Sequence, residues 1–161
     1  MHPDTKRVVE TLGLTPHPEG GFYKEVSRGA LRLDLPRGPR AAHTAIYFLL
    51  PSGAFSALHR VSSDEVWHHY DGDPLSLHLL DDAGVHAEVV LGRDLACGER
   101  PLHVVPAGVW QAAAPLGERH SLCGCTVAPG FDFADFEMPP RKELLSRFPA
   151  HAALVSRLTR P

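Results

Sequence analysis

The chain has few cysteines, little net charge and no long apolar run. Its three cysteines are an odd number that does not suit a disulfide framework, so a reducing, cytoplasmic location is expected. A net charge of -3 provides no basic surface for a phosphate backbone, and nucleic acid is not an expected partner. The longest apolar stretch, residues 45–51, is shorter than the roughly 20 residues of a transmembrane helix, and no signal peptide is recognisable. No membrane association is therefore expected.

What the chain does contain is frequent turn residues, with 15 Pro and 14 Gly, and 11 His. Its 161 residues suit one domain, 1–161. Residues 4–12 and the tail, 141–148 and 149–158, have helical spacing and predict short terminal helices. Between them, short apolar or alternating runs separated by turns predict an all-β sandwich or jelly-roll barrel. The predicted strands are 22–27, 43–50, 54–60, 64–70, 75–80, 85–90, 102–105, 109–114 and 121–128.

One stretch, from Gly53 to Gly72, carries a specific spacing of glycine, histidine and glutamate. His59 lies six residues after Gly53, and Glu65 follows six residues later. The spacing resembles the first motif of the cupin superfamily, Gly-x5-His-x-His-x3–4-Glu-x6-Gly, except that Val61 stands at the second histidine. The resemblance implies a double-stranded β-helix, the cupin jelly-roll barrel.

The second cupin motif resembles the segment that runs from Pro106 through Gly108 to Gln111. Gln111 stands where the motif has its third histidine. In cupins the two motifs lie on facing strands, and their histidines and glutamate bind one metal ion. His59, Glu65 and Gln111 therefore occupy the candidate metal positions, with Val61 contributing no ligand.

Further segments are similar to the cupin 5 family, a former domain of unknown function, over nearly the whole chain. They are His17 to Glu25, the Gly72-Asp-Pro-Leu segment, Pro106 to Gln111 and Val127 to Phe136. Gln111 follows this family's own pattern, which makes a pocket without metal the favoured reading. The family resemblance also implies a homodimer.

Strand alternation predicts which side chains face the interior. If His59 points inward, Glu65, Trp67 and His69 share one face of the next strand. Such a polar and aromatic interior is typical of a ligand pocket. His69 also has a simpler interpretation, as a surface residue on an exposed strand. Trp67 is expected to form an apolar wall and Gln111 to bind a substrate oxygen.

The segment before the barrel motifs adds candidates. Glu19 or His17 could reach the pocket mouth, and Tyr23 is one of three tyrosines that could act as an acid. The Gly20-Gly21 turn suits either close approach to a ligand or a tight turn before an edge strand. Near the end of the barrel, three phenylalanines predict a hydrophobic clasp, with Asp132 and Asp135 facing water. The three are Phe131, Phe133 and Phe136.

Three functions remain open. The first is an isomerase or epimerase acting on a sugar or nucleotide sugar, with His59 as base and Glu65 orienting it, as in the metal-free sugar-nucleotide epimerases that have a cupin barrel. The second is a ligand-binding cupin without catalysis. The third, a metal-dependent dioxygenase, needs more ligands than the sequence supplies. No tightly bound cofactor is expected, although a divalent metal stays open as an alternative.

Overall fold

The structure is a computed structural model, and it describes residues 1–160. The strands are β1 (Thr15–Pro16), β2 (Phe22–Arg28), β3 (Arg32–Leu35), β4 (Gly38–Ala41), β5 (Thr44–Pro51), β6 (Ser56–Val61), β7 (Asp64–Gly72), β8 (Leu75–Leu80), β9 (His86–Leu91), β10 (Leu102–Val105), β11 (Trp110–Pro115), β12 (His120–Ala128) and β13 (Phe136–Glu137). The α-helices are α1 (Pro3–Leu12), α2 (Arg141–Arg147) and α3 (Ala152–Arg157). Short 3-10 turns cover Leu95–Cys97, Phe133–Asp135 and Pro149–His151.

Two antiparallel sheets face each other across the main core. One has the order β1-β2-β5-β12-β7-β10 and the other β13-β6-β11-β8-β9. Phe48 on β5 and Trp67 on β7 meet Leu77 on β8 and Ala113 on β11 in this core. All six residues of β8 are buried, because α2 and α3 cover the outer face of its sheet. The core therefore lies between the sheets, and a second apolar layer lies under the C-terminal helices.

The mostly-β fold with short terminal helices is confirmed. Each predicted strand falls within two residues of a strand of the structure, because the turn residues and the alternating pattern are local signals. In the part of the chain that the structure describes, hydrogen bonds do not close the two sheets into one barrel, and the jelly-roll connectivity stays a prediction. Within residues 1–160, no helix is long and apolar enough to cross a membrane.

The hairpin of β3 and β4 is absent from the predicted strands, and it explains one wrong expectation. Asp135 does not face water: its carboxylate is buried and accepts hydrogen bonds from Arg40 Nε and Nη2, both at 2.8 Å. Arg37 Nε donates to the same carboxylate at 3.2 Å. Both arginines belong to the hairpin, so this ion pair connects it to the segment after β12. The arginines and Asp135 are 95 or more positions apart in the chain, and no local pattern predicts an ion pair over that separation.

Candidate functional site

A cavity of about 410 Å³ opens between the two sheets at the end where β2 and β6 meet the segment 131–136. Its volume lies within the range of small-molecule pockets. Among the titratable side chains that line the cavity, two histidines and two glutamates come from the turn before β2 and from the strands β6 and β7. They are His17, Glu19, His59 and Glu65.

His59 has both ring nitrogens engaged. Nδ1 lies 2.7 Å from the carbonyl oxygen of Ala57, and because a carbonyl only accepts, Nδ1 carries a proton and donates it. Nε2 lies 3.2 Å from Oε2 of Glu19. Burial lowers the pKa of His59, which favours the neutral ring with an unprotonated Nε2. The predicted orienting role of Glu65 thus falls instead to Glu19 and the Ala57 carbonyl.

Glu19 is the partner of His59, and it is buried. Ser56 Oγ donates to its Oε1 at 2.8 Å, while burial raises the pKa of Glu19 to about 8. The raised pKa of Glu19 is consistent with an unprotonated Nε2 on His59, because a protonated Glu19 can donate a hydrogen bond to the neutral ring. We therefore describe Glu19 and His59 as a neutral pair that shares one proton between Oε2 and Nε2.

Glu65 forms the second carboxyl group of the wall. Gln111 Nε2 donates to its Oε2 at 2.6 Å, and Trp67 Nε1 donates to Oε1 of Gln111 at 2.8 Å. The indole therefore fixes which way the Gln111 amide points. Burial raises the pKa of Glu65, so it too favours the protonated form.

His17 is held by its surroundings in one tautomer. Its Nδ1 accepts from the backbone N–H of Glu19 at 3.3 Å, so the proton of the neutral ring lies on Nε2. The ring packs edge-on against Tyr23, with 4.5 Å between ring centroids. Burial lowers the pKa of His17 to about 4, and the ring is neutral near pH 7.

The Gly20-Gly21 turn brings Glu19 into the cavity. Both glycines have positive φ, at 120° and 70°. A side chain at Gly20 would collide with the carbonyl of Phe55, and one at Gly21 with that of Leu49. The close approach that two glycines permit is thus to strand β5 and to the residue before β6, and it places Glu19 beside Ser56 and His59.

The predicted site residues divide into two groups. His59, Glu65, Glu19 and Tyr23 line the cavity. Trp67, His69 and Gln111 do not belong to the lining. The physical reason is spacing: each second residue of a strand advances about 6.6 Å, so a row on one face runs from the cavity into the core.

Three of these placements correct the expected roles. Trp67 packs edge-on against Phe48 in the core, with 5.6 Å between ring centroids, and supports Gln111 rather than forming a wall. His69 Nε2 donates to the Asp73 carbonyl at 2.9 Å, at the opposite end of β7 from Glu65. Gln111 acts on Glu65 rather than facing a substrate.

The donor set does not fit the metal ion that typical cupins bind. No three His, Cys, Asp or Glu side chains among residues 1–160 are placed to hold a metal. Val61 lines the cavity where the motif has histidine, and the amide of Gln111 is committed to Trp67 and Glu65. We derive no step through a metal.

The mouth of the cavity carries charged and aromatic side chains. Arg28 donates to both carboxylate oxygens of Glu25, at 2.9 and 2.7 Å, and to the carbonyl of Phe131. The exposed side chain of Phe133 meets Phe131 edge-on, at 5.0 Å between centroids. The expected clasp of phenylalanines therefore lies over the cavity and is joined to β2 through Arg28.

The sequence analysis named Glu19 and His17 as candidates for the pocket mouth, but it missed the contact of Glu19 with His59. The signal was the segment from His17 to Gly21, in which two glycines with positive φ follow two titratable residues. Its contact with β6 joins residues distant in the chain, and no periodic pattern predicts such a contact.

Comparison with known proteins agrees with this architecture. The family described as Cupin_5, Cupin superfamily (DUF985), matches residues 6–139. A hypothetical protein from Leishmania major is 34% identical with a TM-score of 0.92, and 97% of this chain and 98% of that chain are covered. A protein from Shewanella oneidensis with an X-ray crystal structure is 38% identical with a TM-score of 0.91, and 97% of each chain is covered.

Enzymes of known activity are more distant. Oxalate decarboxylase from Lactobacillus farciminis is 16% identical with a TM-score of 0.57, and the match covers 90% of this chain and 41% of that chain. At this identity the likeness concerns the fold alone. No curated protein matches the chain.

Proposed function

Because the chain belongs to the Cupin_5 family of the cupin superfamily, we propose that it binds a small polar metabolite in the cavity and catalyses proton transfer next to a carbonyl group, as an isomerase or epimerase. The observation that carries the proposal is the 3.2 Å contact between Nε2 of His59 and Oε2 of Glu19 in the cavity wall. A base is most useful when its pKa lies near the working pH, and burial moves the pKa of Glu19 to about 8.

The pair acts as one base in this proposal. As Glu19 takes a proton from the carbon next to the substrate carbonyl, its own proton passes to Nε2 of His59. The electron pair of the broken C–H bond moves to the carbonyl oxygen and gives an enolate. The protonated Glu65 donates a hydrogen bond to that oxygen, and return of the proton to the other face or the neighbouring carbon completes the reaction. His59 thus remains the final proton acceptor, through Glu19.

The supporting residues have positioning roles. The Ala57 carbonyl and Ser56 hydroxyl hold the two members of the pair, and Gln111 holds Glu65. Phe136, with its ring centroid 5.2 Å from that of His59, provides an apolar surface for the substrate. Both members of the pair are buried, and a surrounding of low polarity strengthens the electrostatic contact between them.

Deuterium exchange tests the proposal. Carbonyl compounds are incubated with the protein in D2O, and NMR follows the loss of the C–H signal next to the carbonyl. For a compound that the wild type exchanges, His59→Gln and Glu19→Gln are each expected to slow exchange about 100-fold or more, because positioned acids and bases contribute at least that factor. Glu118→Gln, at an exposed position, is the control.

Exchange rates that stay the same in both variants would contradict the proposed role. The alternative of a ligand-binding cupin without catalysis needs only the cavity. It predicts compounds that bind and raise the melting temperature but exchange no proton. A metal-dependent dioxygenase is the weaker candidate, because the donor set does not fit a metal.

The homodimer and the cytoplasmic location stay predictions. One surface suits a second copy: the outer face of the six-stranded sheet exposes Tyr70 on β7 with Leu102 and Val104 on β10. Adjacent exposed apolar side chains of this kind are typical of protein contacts.

A further inference from the structure

The cavity that would bind the substrate differs in charge between its wall and its mouth. At the wall, the hydrogen-bonding partners of the Glu19 and Glu65 carboxyl groups are neutral: Ser56, Gln111 and the imidazole of His59. The nearest positive charge that acts on Glu19 is that of Arg160, which lies outside the lining and donates to the carbonyls of Pro18 and Phe55. Among the described residues that line the cavity, the cations are Lys24 and Arg28, and both have exposed side chains at the mouth. A negatively charged group at the wall would therefore contact no cation of the lining.

The two cations at the mouth are already engaged. Arg28 makes its two-pronged contact with Glu25 and a third hydrogen bond with the Phe131 carbonyl. Lys24 Nζ donates to the carbonyl of Leu12 at 3.1 Å. Glu25 and Asp132 stand beside them in the lining, so two positive and two negative charges cancel at the entrance. The entrance neither attracts nor compensates an anion.

The rest of the wall is apolar. Val61, Ile46 and Val127 line it, and the rings of Phe131 and Phe136 lie 6.0 Å apart across it. A ligand with one flat apolar side can pack there while its oxygens meet the pair of Glu19 and His59. Protonated carboxyl groups donate and neutral imidazoles accept or donate, which matches carbonyl and hydroxyl groups.

We infer that the substrate is an electrically neutral hydroxy-carbonyl compound with one apolar face, and that phosphorylated sugars, sugar nucleotides and keto acids bind poorly. The inference rests on the proposed function for its site and narrows the substrate class. Its physical basis is desolvation: a phosphate or carboxylate loses its water on entering and gains no free cation in return. Binding an anion at the mouth would require it to displace Glu25 from Arg28.

Matched probes that differ by a charged group test the inference. The neutral probes are 2-hydroxyacetophenone and methyl phenylpyruvate, and their anionic counterparts are phenacyl phosphate and phenylpyruvate. Dissociation constants are measured by NMR titration on the wild-type protein. Each neutral probe is expected to bind at least tenfold more tightly than its anionic counterpart.

A variant sharpens the test. Glu25→Gln releases Arg28 from its carboxylate, so it is expected to tighten the binding of phenacyl phosphate several-fold and leave 2-hydroxyacetophenone unchanged. Glu118→Gln is the matched control for the loss of one negative charge. The inference is overturned if the anionic probes bind the wild type as tightly as the neutral ones, or if no probe binds.

The outcomes separate the inference from the proposed function. Exchange of the C–H proton in D2O without a preference for neutral probes overturns the substrate class alone. Preference for neutral probes without exchange supports the substrate class and contradicts catalysis.

Discussion

Two regions of the molecule bury carboxyl groups in opposite ways. In the clamp formed by Asp135, Arg37 and Arg40, the side chain of Asp135 is 4% exposed and faces two guanidinium groups, which hold its pKa below its usual range. At the cavity the side chain of Glu19 is 8% exposed, faces an imidazole and a hydroxyl group, and has a pKa of about 8. Both side chains are nearly inaccessible to solvent, but burial is the main influence on the pKa of Glu19, whereas the hydrogen bonds from Arg40 are the main influence on the pKa of Asp135.

The difference separates a carboxyl group with a structural role from one that can exchange protons. An ionised carboxylate held by two arginines is fixed in one protonation state and serves to join the hairpin of β3 and β4 to the segment over the cavity. A carboxyl group with neutral partners can gain or lose a proton near neutral pH. Perturbed groups of the second kind are typical of functional sites.

The largest loss of stability is expected from breaking the ion pairs of Asp135 with Arg37 and Arg40. Asp135→Asn leaves two arginines without their anion, and removal of one partner from a buried ion pair costs about 3–5 kcal/mol. Glu19→Gln keeps a neutral polar group and is expected to cost about 1 kcal/mol or less at pH 7. Urea unfolding of both variants measures the difference, with Asp34→Asn at an exposed position as control. Equal losses of stability in Asp135→Asn and Glu19→Gln would contradict the distinction between an ionised carboxylate at Asp135 and a neutral carboxyl group at Glu19.

A smaller loss of stability is expected from removing the hydrogen-bond partner of Glu65. Gln111→Met keeps the length of the side chain but leaves Trp67 Nε1 and Glu65 without their hydrogen-bond partner. Loss of a buried partner costs about 1–3 kcal/mol, measured by urea unfolding. Unchanged stability would mean that the contacts of Gln111 at 2.6 and 2.8 Å contribute nothing to the cavity wall.

The smallest effect is a slope of stability with pH. The folded pKa of Glu19, about 8, lies above its unfolded value, so its stabilising contribution is complete below the unfolded pKa and is lost as pH rises through about 8. Between pH 6.5 and 8 the free energy of unfolding should fall by up to about 1.4 kcal/mol per pH unit for this group.

The window from pH 6.5 to 8 excludes lower pH values, where His17 changes the free energy of unfolding in the opposite direction. Its folded pKa of about 4 lies below the usual 6.5, so its contribution is gained as pH rises towards 6.5. Glu19→Gln is expected to reduce the fall in stability above pH 6.5, as measured by urea unfolding at several pH values. A slope that is identical in wild type and variant would show that Glu19 is ionised in the folded protein.

Much of the fold was predictable from the sequence. Turn residues and alternating side chains predict the main strands of both sheets, because they act within a few residues. The hairpin of β3 and β4 is absent from the predicted strands, because each of its strands has only four residues and offers a short pattern. Its contact with Asp135 joins residues 95 or more positions apart, which no local signal predicts. The same limit applies to the site: His59 and Glu65 follow from motif spacing, whereas the contact of His59 with Glu19 does not.

The stretch from Gly53 to Gly72 by itself identified a cupin-type chain, placed His59 and Glu65 on consecutive strands, and indicated through Val61 that the usual metal ligands are incomplete. Only the tertiary structure decided that Glu19, rather than Glu65, contacts Nε2 of His59, and that Asp135 is ionised while Glu19 is neutral. The physical reason is that motifs and periodicity are local properties of the chain. Protonation depends on burial and on the groups that folding brings within hydrogen-bond distance.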